Sequence, residues 1–264
     1  MLLVIDAGNT NICLALFREQ ELLKVWRALP DLFKDVHKCS QWLQNELTGS
    51  SFCPNDVKNI IISCVVPDLL SDIKAFCLDL FSQEVLVIGE SSAPFPHSSL
   101  IDRPGEEGAD LMANAFAAHT LYGGGPLLVI DFGTATTLSL VDGSGNFCGT
   151  VIAPGVQLSL RALYQAAAKL PEVAIIKPRN VIGTNTVDSM QSGIFWGYVS
   201  MIEGLIQCIK DENFRGLLSK EFKVVATGGL SSLIAPSCSR ITHIDFDLTL
   251  KGIALIYETL PERK

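Results

Sequence analysis

The segment Leu2-Leu3-Val4-Ile5-Asp6-Ala7-Gly8-Asn9-Thr10 returns later in the chain as Leu127-Leu128-Val129-Ile130-Asp131-Phe132-Gly133-Thr134-Ala135. In each copy an apolar run ends in Asp-x-Gly, and a second β-rich stretch follows, Ile12 to Phe17 in the first and Thr136 to Val141 in the second. An isolated Asp-x-Gly is an ordinary hairpin turn. Five identical residues leading into both turns make it a duplication instead, and self-similarity at half the chain length fixes architecture before any other signal. The expected object is two lobes, each opening with the same strand, turn and strand and related by a pseudo-two-fold axis.

After each hairpin, strands and helices alternate. The first half reads as a helix over Asp31 to Leu47, a buried strand over Ile60 to Val66, a helix over Asp68 to Phe81 and a strand over Glu84 to Ile88. The second half reads as a strand over Phe147 to Ala153, helices over Val156 to Lys169 and Thr186 to Lys210, a strand over Phe222 to Ala226 and a closing helix over Leu248 to Thr259. Strands bracketing helices predict an α/β fold. The boundary is expected at Gly123-Gly124-Gly125-Pro126, giving lobes of residues 1–122 and 123–264.

Composition removes several function classes. With 264 residues, 48% hydrophobic and 18% charged against a usual share of about 25%, the chain can fill a core. The net charge is −8 and no Lys/Arg-rich run occurs, so a phosphate-backbone grip on nucleic acid is not expected. An anionic ligand must then be held by backbone N–H groups and a metal ion. The longest apolar stretch, Ile60 to Val66, is far short of the roughly 20 residues of a membrane helix. Asp6 interrupts the leading apolar run, and no basic segment precedes it, so no secretory signal is read there. Eight cysteines without a C-x-x-C pair predict free thiols in the cytoplasm. The four histidines are isolated, which leaves zinc chemistry and a Ser-His-Asp triad without residues.

The turns carry the chemistry. Two tight Asp-x-Gly turns facing each other across a cleft would offer main-chain N–H groups at Gly8, Asn9, Thr10, Gly133 and Thr134, an arrangement suited to phosphate. Asp6 and Asp131 at buried strand ends would require a cation or hydrogen bonds. No G-x-x-x-x-G-K-[ST] string exists, so this is not a P-loop protein. Thr227-Gly228-Gly229 ends another apolar run before a helical start, leaving room for a nucleoside against the backbone. Pro104 to Asn114 reads as a helix opening with acidic residues, in which Asp110 and Asn114 share a face and Asp110 is placed to accept a hydroxyl proton. Asn185 reads as a helix N-cap with Asp188 three residues on, and Ser189, Gly193 and Gly197 then form a stripe suited to close packing, including self-association.

Taken together, these motifs resemble type III pantothenate kinase. They are Asp6-x-Gly8-Asn9-Thr10, Gly108-Ala109-Asp110, Asp131-Phe132-Gly133-Thr134-Ala135-Thr136, Ile152-Ala153-Pro154-Gly155, Lys169-Leu170-Pro171, Gly183-x-Asn185-Thr186 with Met190-Gln191-Ser192-Gly193, and Thr227-Gly228-Gly229. The resemblance implies duplicated ribonuclease H-like, actin-like lobes with a nucleotide cleft between them. The implied activity is transfer of the ATP γ-phosphoryl group to the primary hydroxyl of pantothenate, the first step of coenzyme A synthesis.

By position, the resemblance assigns ATP binding to Asp6, Ala7, Gly8, Asn9, Thr10, Asn11, Ile12, Cys13 and Thr134, and proton acceptance to Asp110. It assigns the pantothenate pocket to Gly108, Ala109, Asp110, Leu111 and Thr186, and a monovalent cation, potassium or ammonium, to Asp131 beside Mg²⁺-ATP. It also implies a homodimer in which the partner subunit completes the pocket. The chain departs from the family at Leu111, where the family carries Arg, at Ile101, in the place of a Tyr, and at Gly149-Thr150, in the place of Gly-Gly. Leu supplies neither the cation nor the rigid donor fork of Arg. Leu111 and Ile101 motivate a second reading, a catalytically weak or silent relative acting as a binding or regulatory protein; another actin-like phosphotransferase, such as a small sugar or carboxylate kinase, is the remaining alternative.

Overall fold

The computed structural model describes residues 1–213 and 222–261. Two compact units emerge. The first comprises Met1–Ser98, Asp102–Thr120 and the C-terminal segment from Leu248, and the second comprises Ser99–Ile101 and Leu121–Asp247.

In the first unit, β1 (Leu2–Ala7), β2 (Ile12–Arg18) and β3 (Glu21–Ala28) form an antiparallel meander. It is followed by α1 (Pro30–Phe33), α2 (Val36–Gly49), β4 (Asn59–Cys64), α3 (Pro67–Phe81), β5 (Leu86–Val87) and α4 (Ala109–Tyr122). The sheet order is β3-β2-β1-β4-β5, with β4 parallel to β1 and β5 parallel to β4. The second unit holds β6 (Leu127–Phe132), β7 (Ala135–Val141), β8 (Phe147–Pro154), α5 (Val156–Ala166), α6 (Thr186–Asn213), β9 (Lys223–Thr227), α7 (Ser231–Ile234) and β10 (His243–Ile244). Its sheet order is β10-β9-β6-β7-β8, again a meander joined to two parallel strands. The two orders correspond strand for strand, so the repeat seen in sequence is a repeat of topology.

The leading strand is apolar throughout because both of its faces are covered. Leu3, Ile5 and Ala7 are buried with Phe33, Leu43, Ile73 and Phe76 of α1, α2 and α3. Leu2 and Val4 are buried on the other face with Ala113 of α4 and with Leu250, Ile253 and Ile256 of the last helix, α8 (Leu248–Glu258). The position of α8 differs from the sequence expectation, which placed residues 123–264 in one lobe. An amphipathic helix docks where an apolar sheet face is open, and Leu250, Ile253, Ala254, Ile256 and Tyr257 close the face of the first sheet. Glycine at 252 permits this approach, because a Cβ there would overlap the Ala113 carbonyl oxygen of α4. The boundary also falls between residues 120 and 121, with Ser99–Ile101 drawn to the second unit, where the Leu100 N–H donates to the Phe147 carbonyl at 2.8 Å.

Smaller differences have local causes. The helix expected from Asp31 breaks into α1 and α2, because Asp35 is extended and its carboxylate accepts from the Lys38 N–H at 3.1 Å as a cap. The helix expected from Pro104 begins only at Ala109. Residues Arg103 to Glu106 form a turn around Gly105, whose φ of +103° excludes helix. Helix α5 ends at Ala166, short of Pro171. Strand β3, absent from the expectation, is an edge strand in which only Trp26 is buried, and its charged residues suit an edge. Among the described residues no helix is long and apolar enough to cross a membrane.

Candidate active site: acidic strand ends and a helix that begins with aspartate

Asp6 stands one residue before the end of β1, paired in register with Cys13 of β2 and Ser63 of β4. Side chains alternate along a strand. Since Leu2, Val4 and Ile61 lie on the face covered by α4 and α8, Asp6 and Ser63 face the same side. The hairpin beyond is closed by the Gly8 N–H donating to the Asn11 carbonyl at 3.1 Å, leaving Asn9, Thr10 and Asn11 exposed. Ala7 and Ile12 are fully buried, main chain included, so of the residues assigned to ATP these two present no surface to a ligand.

Asp110 lies in the first turn of α4, half-buried. Its Oδ1 accepts from the Leu111 N–H at 2.8 Å. Burial pushes its carboxyl above the usual carboxylate range, partly opposed by the Leu111 backbone hydrogen bond and by its own N–H. Gly108 is required beside it: an added Cβ would overlap Asp110 Oδ1 and lie 3.4 Å from Val65 Cγ1, just past β4. The first turn of α4 therefore rests at the exit of β4. Asp6 and Asp110 thus belong to the same side of one sheet, at the carboxyl ends of its parallel strands, where open α/β sheets place their ligands. Leu111 is half-buried in that turn, and Asn114, expected to share a face with Asp110, is buried and accepts from the Thr249 hydroxyl of α8 at 2.8 Å.

The second unit repeats the strand end. Asp131 pairs in register with Thr137 of β7 and Thr227 of β9. Two glycines press main chain against its turn. A Cβ on Gly155 would overlap the Thr134 carbonyl oxygen and lie 2.6 Å from that of Gly133, and the Gly155 N–H donates to Thr134 at 3.1 Å. Gly228 has a φ of +88°, and a Cβ there would overlap Asp131 Oδ1 and lie 2.7 Å from the Phe132 nitrogen. Gly133 and Thr134 are exposed. Such turns form main-chain cradles that fit phosphate oxygens. Among the described residues no group of three or more His, Cys, Asp or Glu is assembled for a metal ion. The single carboxylate at each strand end, Asp6 or Asp131, fits a magnesium ion arriving with a nucleotide, since Mg²⁺ is commonly held by one or two carboxylates together with substrate phosphates.

Thr186 opens α6 and is exposed. It lines a cavity of about 690 Å³ with Leu163, Leu170, Gly183, Met190 and Ile194, and neither Asp131 nor Thr134 is part of that lining. Asn185 precedes α6 as read from sequence: its Oδ1 accepts from the Asp188 N–H at 2.9 Å. The sequence-assigned residues are therefore distributed. Asp6 to Cys13 and Gly108 to Leu111 belong to the first unit, and Asp131, Thr134 and Thr186 to the second. Thr227 belongs to the Thr-Gly-Gly motif read from sequence, whereas Ser63 and Thr137, the other hydroxyl residues in register with the two aspartates, were not singled out. Their one signal was a hydroxyl inside an apolar run.

The family model for type III pantothenate kinase matches residues 2–208. A protein of Paramagnetospirillum magneticum named type III pantothenate kinase is 48% identical over 97% of this chain and 96% of its own length. Among solved structures, a conserved putative Baf family transcriptional activator from Campylobacter jejuni matches with a TM-score of 0.56 at 20% identity, covering 98% of this chain and 99% of that one. MreB 5 of Spiroplasma citri, solved bound to AMPPNP, matches with a TM-score of 0.54 at 11% identity, covering 99% and 97%. At these identities the structural matches establish the actin-like fold alone. The fold comes from the structural matches and the kinship from the sequence matches, and on the latter this chain belongs to the type III pantothenate kinase family.

Proposed function

We propose that this protein phosphorylates pantothenate at its primary hydroxyl with ATP, the entry reaction of coenzyme A synthesis. The observation that carries the reading is the family match, which spans both acidic strand ends and the Asp110 helix. Asp110 is the proton acceptor: as the pantothenate oxygen bonds to the γ-phosphorus and the bridge to the β-phosphate breaks, the hydroxyl proton passes to its carboxylate, and ADP departs. Phosphoryl transfer asks chiefly for positioning and charge stabilisation. The main chain of the exposed turn between Asp6 and Cys13, with the Thr10 hydroxyl, holds phosphate oxygens, and Thr134 supplies a second contact. Mg²⁺, when bound with the nucleotide, neutralises phosphate charge, and Asp131 holds the potassium or ammonium ion. Gly108, Ala109 and Leu111 of the first unit, and Thr186 of the second, are the residues that the family resemblance assigns to pantothenate.

A homodimer belongs to the same proposal. Ser189, Gly193 and Gly197 lie exposed along α6, and a Cβ on either glycine would meet nothing within 4 Å, so the stripe offers a flat face to a second copy. Free cysteines throughout the chain suit the cytoplasm.

Release of ADP that requires pantothenate, Mg²⁺ and potassium or ammonium is the expected result in a coupled assay. Turnover indifferent to pantothenate would sink the assignment, and an accompanying panel of sugar and carboxylate acceptors would reveal another acceptor class. A second prediction concerns Gly108→Ala. The added methyl meets the tip of the Asp110 side chain and no backbone. The fold should survive while kcat falls by about tenfold to a hundredfold, a displacement effect of the size expected for a misplaced catalytic group. The KM for ATP should hardly move; a fall in KM-normalised ATP use without a fall in kcat would contradict the placement of Asp110.

A further inference from the structure

Ser63 is fully buried in β4, and its Oγ has no hydrogen-bond partner among the described residues. Its strand neighbours Ile60, Ile61 and Ile62 are apolar and equally buried, so packing alone would be served by a residue without a hydroxyl. A buried hydroxyl left unpaired is costly and rare, and it calls for a reason. Its place in the sheet supplies one. The parallel register sets Ser63 beside Asp6, on the face that α4 and α8 cover. Two residues further on, Val65 approaches Gly108 at the start of the Asp110 helix. The second unit repeats the relation: Thr227, 1% exposed, stands in the same parallel register to Asp131. Each acidic strand end thus has a buried hydroxyl residue as its parallel neighbour.

We infer that Ser63 is a positioning residue for the magnesium-nucleotide group at Asp6, acting through its strand neighbour: when the Asp6 carboxylate turns to the magnesium ion, the buried Ser63 hydroxyl donates to it and fixes its orientation. The inference rests on the reading that the Asp6 turn takes ATP. Ser63 acts on binding geometry and touches none of the reacting atoms.

The test is calorimetric titration of the full chain with AMPPNP, in Mg²⁺ and in EDTA, for the parent, Ser63→Ala and Asp6→Asn, with melting temperatures recorded without nucleotide. Ser63→Ala should weaken binding in Mg²⁺ by about tenfold to a hundredfold, the loss of one hydrogen bond to a charged group. It should leave binding in EDTA unchanged and the nucleotide-free melting temperature equal or higher, because an unpaired hydroxyl has been removed. Parent-like binding of Ser63→Ala in Mg²⁺ overturns the inference. So does weakening that is equal in Mg²⁺ and EDTA with a lowered melting temperature, which would make Ser63 a packing residue. If Asp6→Asn also binds like the parent, the assignment of ATP to the Asp6 turn fails with it. If Asp6→Asn alone loses the Mg²⁺-dependent affinity, only the role of Ser63 falls.

Discussion

Asp110→Asn is expected to lower kcat by about 10²- to 10⁴-fold, the range for removal of a general base, while the protein becomes more resistant to heat at neutral pH. The two effects share a cause. The carboxyl is held half-buried at the head of α4, and burial lifts its proton affinity above that of the unfolded chain. A carboxyl with a raised native pKa binds more protons in the folded state than in the unfolded one, so native stability declines as pH climbs from the ordinary aspartate value of 3.8 through the raised native value. Above that window the ionised side chain burdens the fold, and Asn relieves it while keeping an oxygen to accept the Leu111 N–H. The stability gain should therefore shrink as pH falls towards 3.8. Steady-state kinetics and melting curves across pH check both halves. The acid limb of kcat/KM in the parent should lie above the ordinary carboxylate range. A variant with parental turnover, or one whose lost turnover comes with a lower melting temperature at pH 7, would remove Asp110 from its role.

Gly252→Val should be the most damaging single change in the contact between α4 and α8. A Cβ at this position overlaps the Ala113 carbonyl oxygen, lies 2.7 Å from the Ala113 carbonyl carbon and 3.2 Å from the Ala117 methyl. Backbone cannot step aside as a side-chain tip can, so the helices must part or unfold. Overpacking ordinarily costs about 1–3 kcal/mol, and more where backbone is struck; about 3 kcal/mol or more is expected here by urea denaturation. Because α4 carries Asp110, turnover should fall in the fraction that stays folded. Gly204→Ala in α6 is the control: nothing lies within 4 Å of its Cβ, and removing a helical glycine should add about 0.5–1 kcal/mol. Equal midpoints for the two variants would show that helix α8 does not pack as described.

How much of this was legible in the chain differs by feature. The repeated Leu-Leu-Val-Ile-Asp run predicted two like units, and the corresponding sheet orders follow from it, because a doubly buried strand flanked by a hairpin leaves few alternatives. Strand β3 was not legible, since an edge strand with one buried residue carries no strong alternation. The break between Phe33 and Val36 depends on an Asp35 cap that competes with helix continuation, and sequence periodicity alone runs through it. At the site, both Asp-x-Gly turns stood out, as did Asp110. The close approaches at Gly108, Gly155 and Gly228 did not, because a glycine required by a distant carbonyl looks in sequence like any turn glycine. Ser63 was hidden for the opposite reason: inside Ile60 to Val66 it reads as one more core residue, and only the register with Asp6 gives its hydroxyl a neighbour of consequence.

The membership of α8 in the first unit bears on how the molecule is made. During synthesis the N-terminal sheet emerges first, and domains ordinarily fold as they leave the ribosome. Here the side of the sheet formed by Leu2, Val4, Ala15, Phe17 and Ile61 has only α4 to cover it until Leu250, Ile253 and Ile256 have been translated, after the whole second unit. A nascent chain stalled before residue 248 should therefore carry a finished rear half and a sticky, unfinished front half. For this protein a helix made after the second unit completes a sheet made before it.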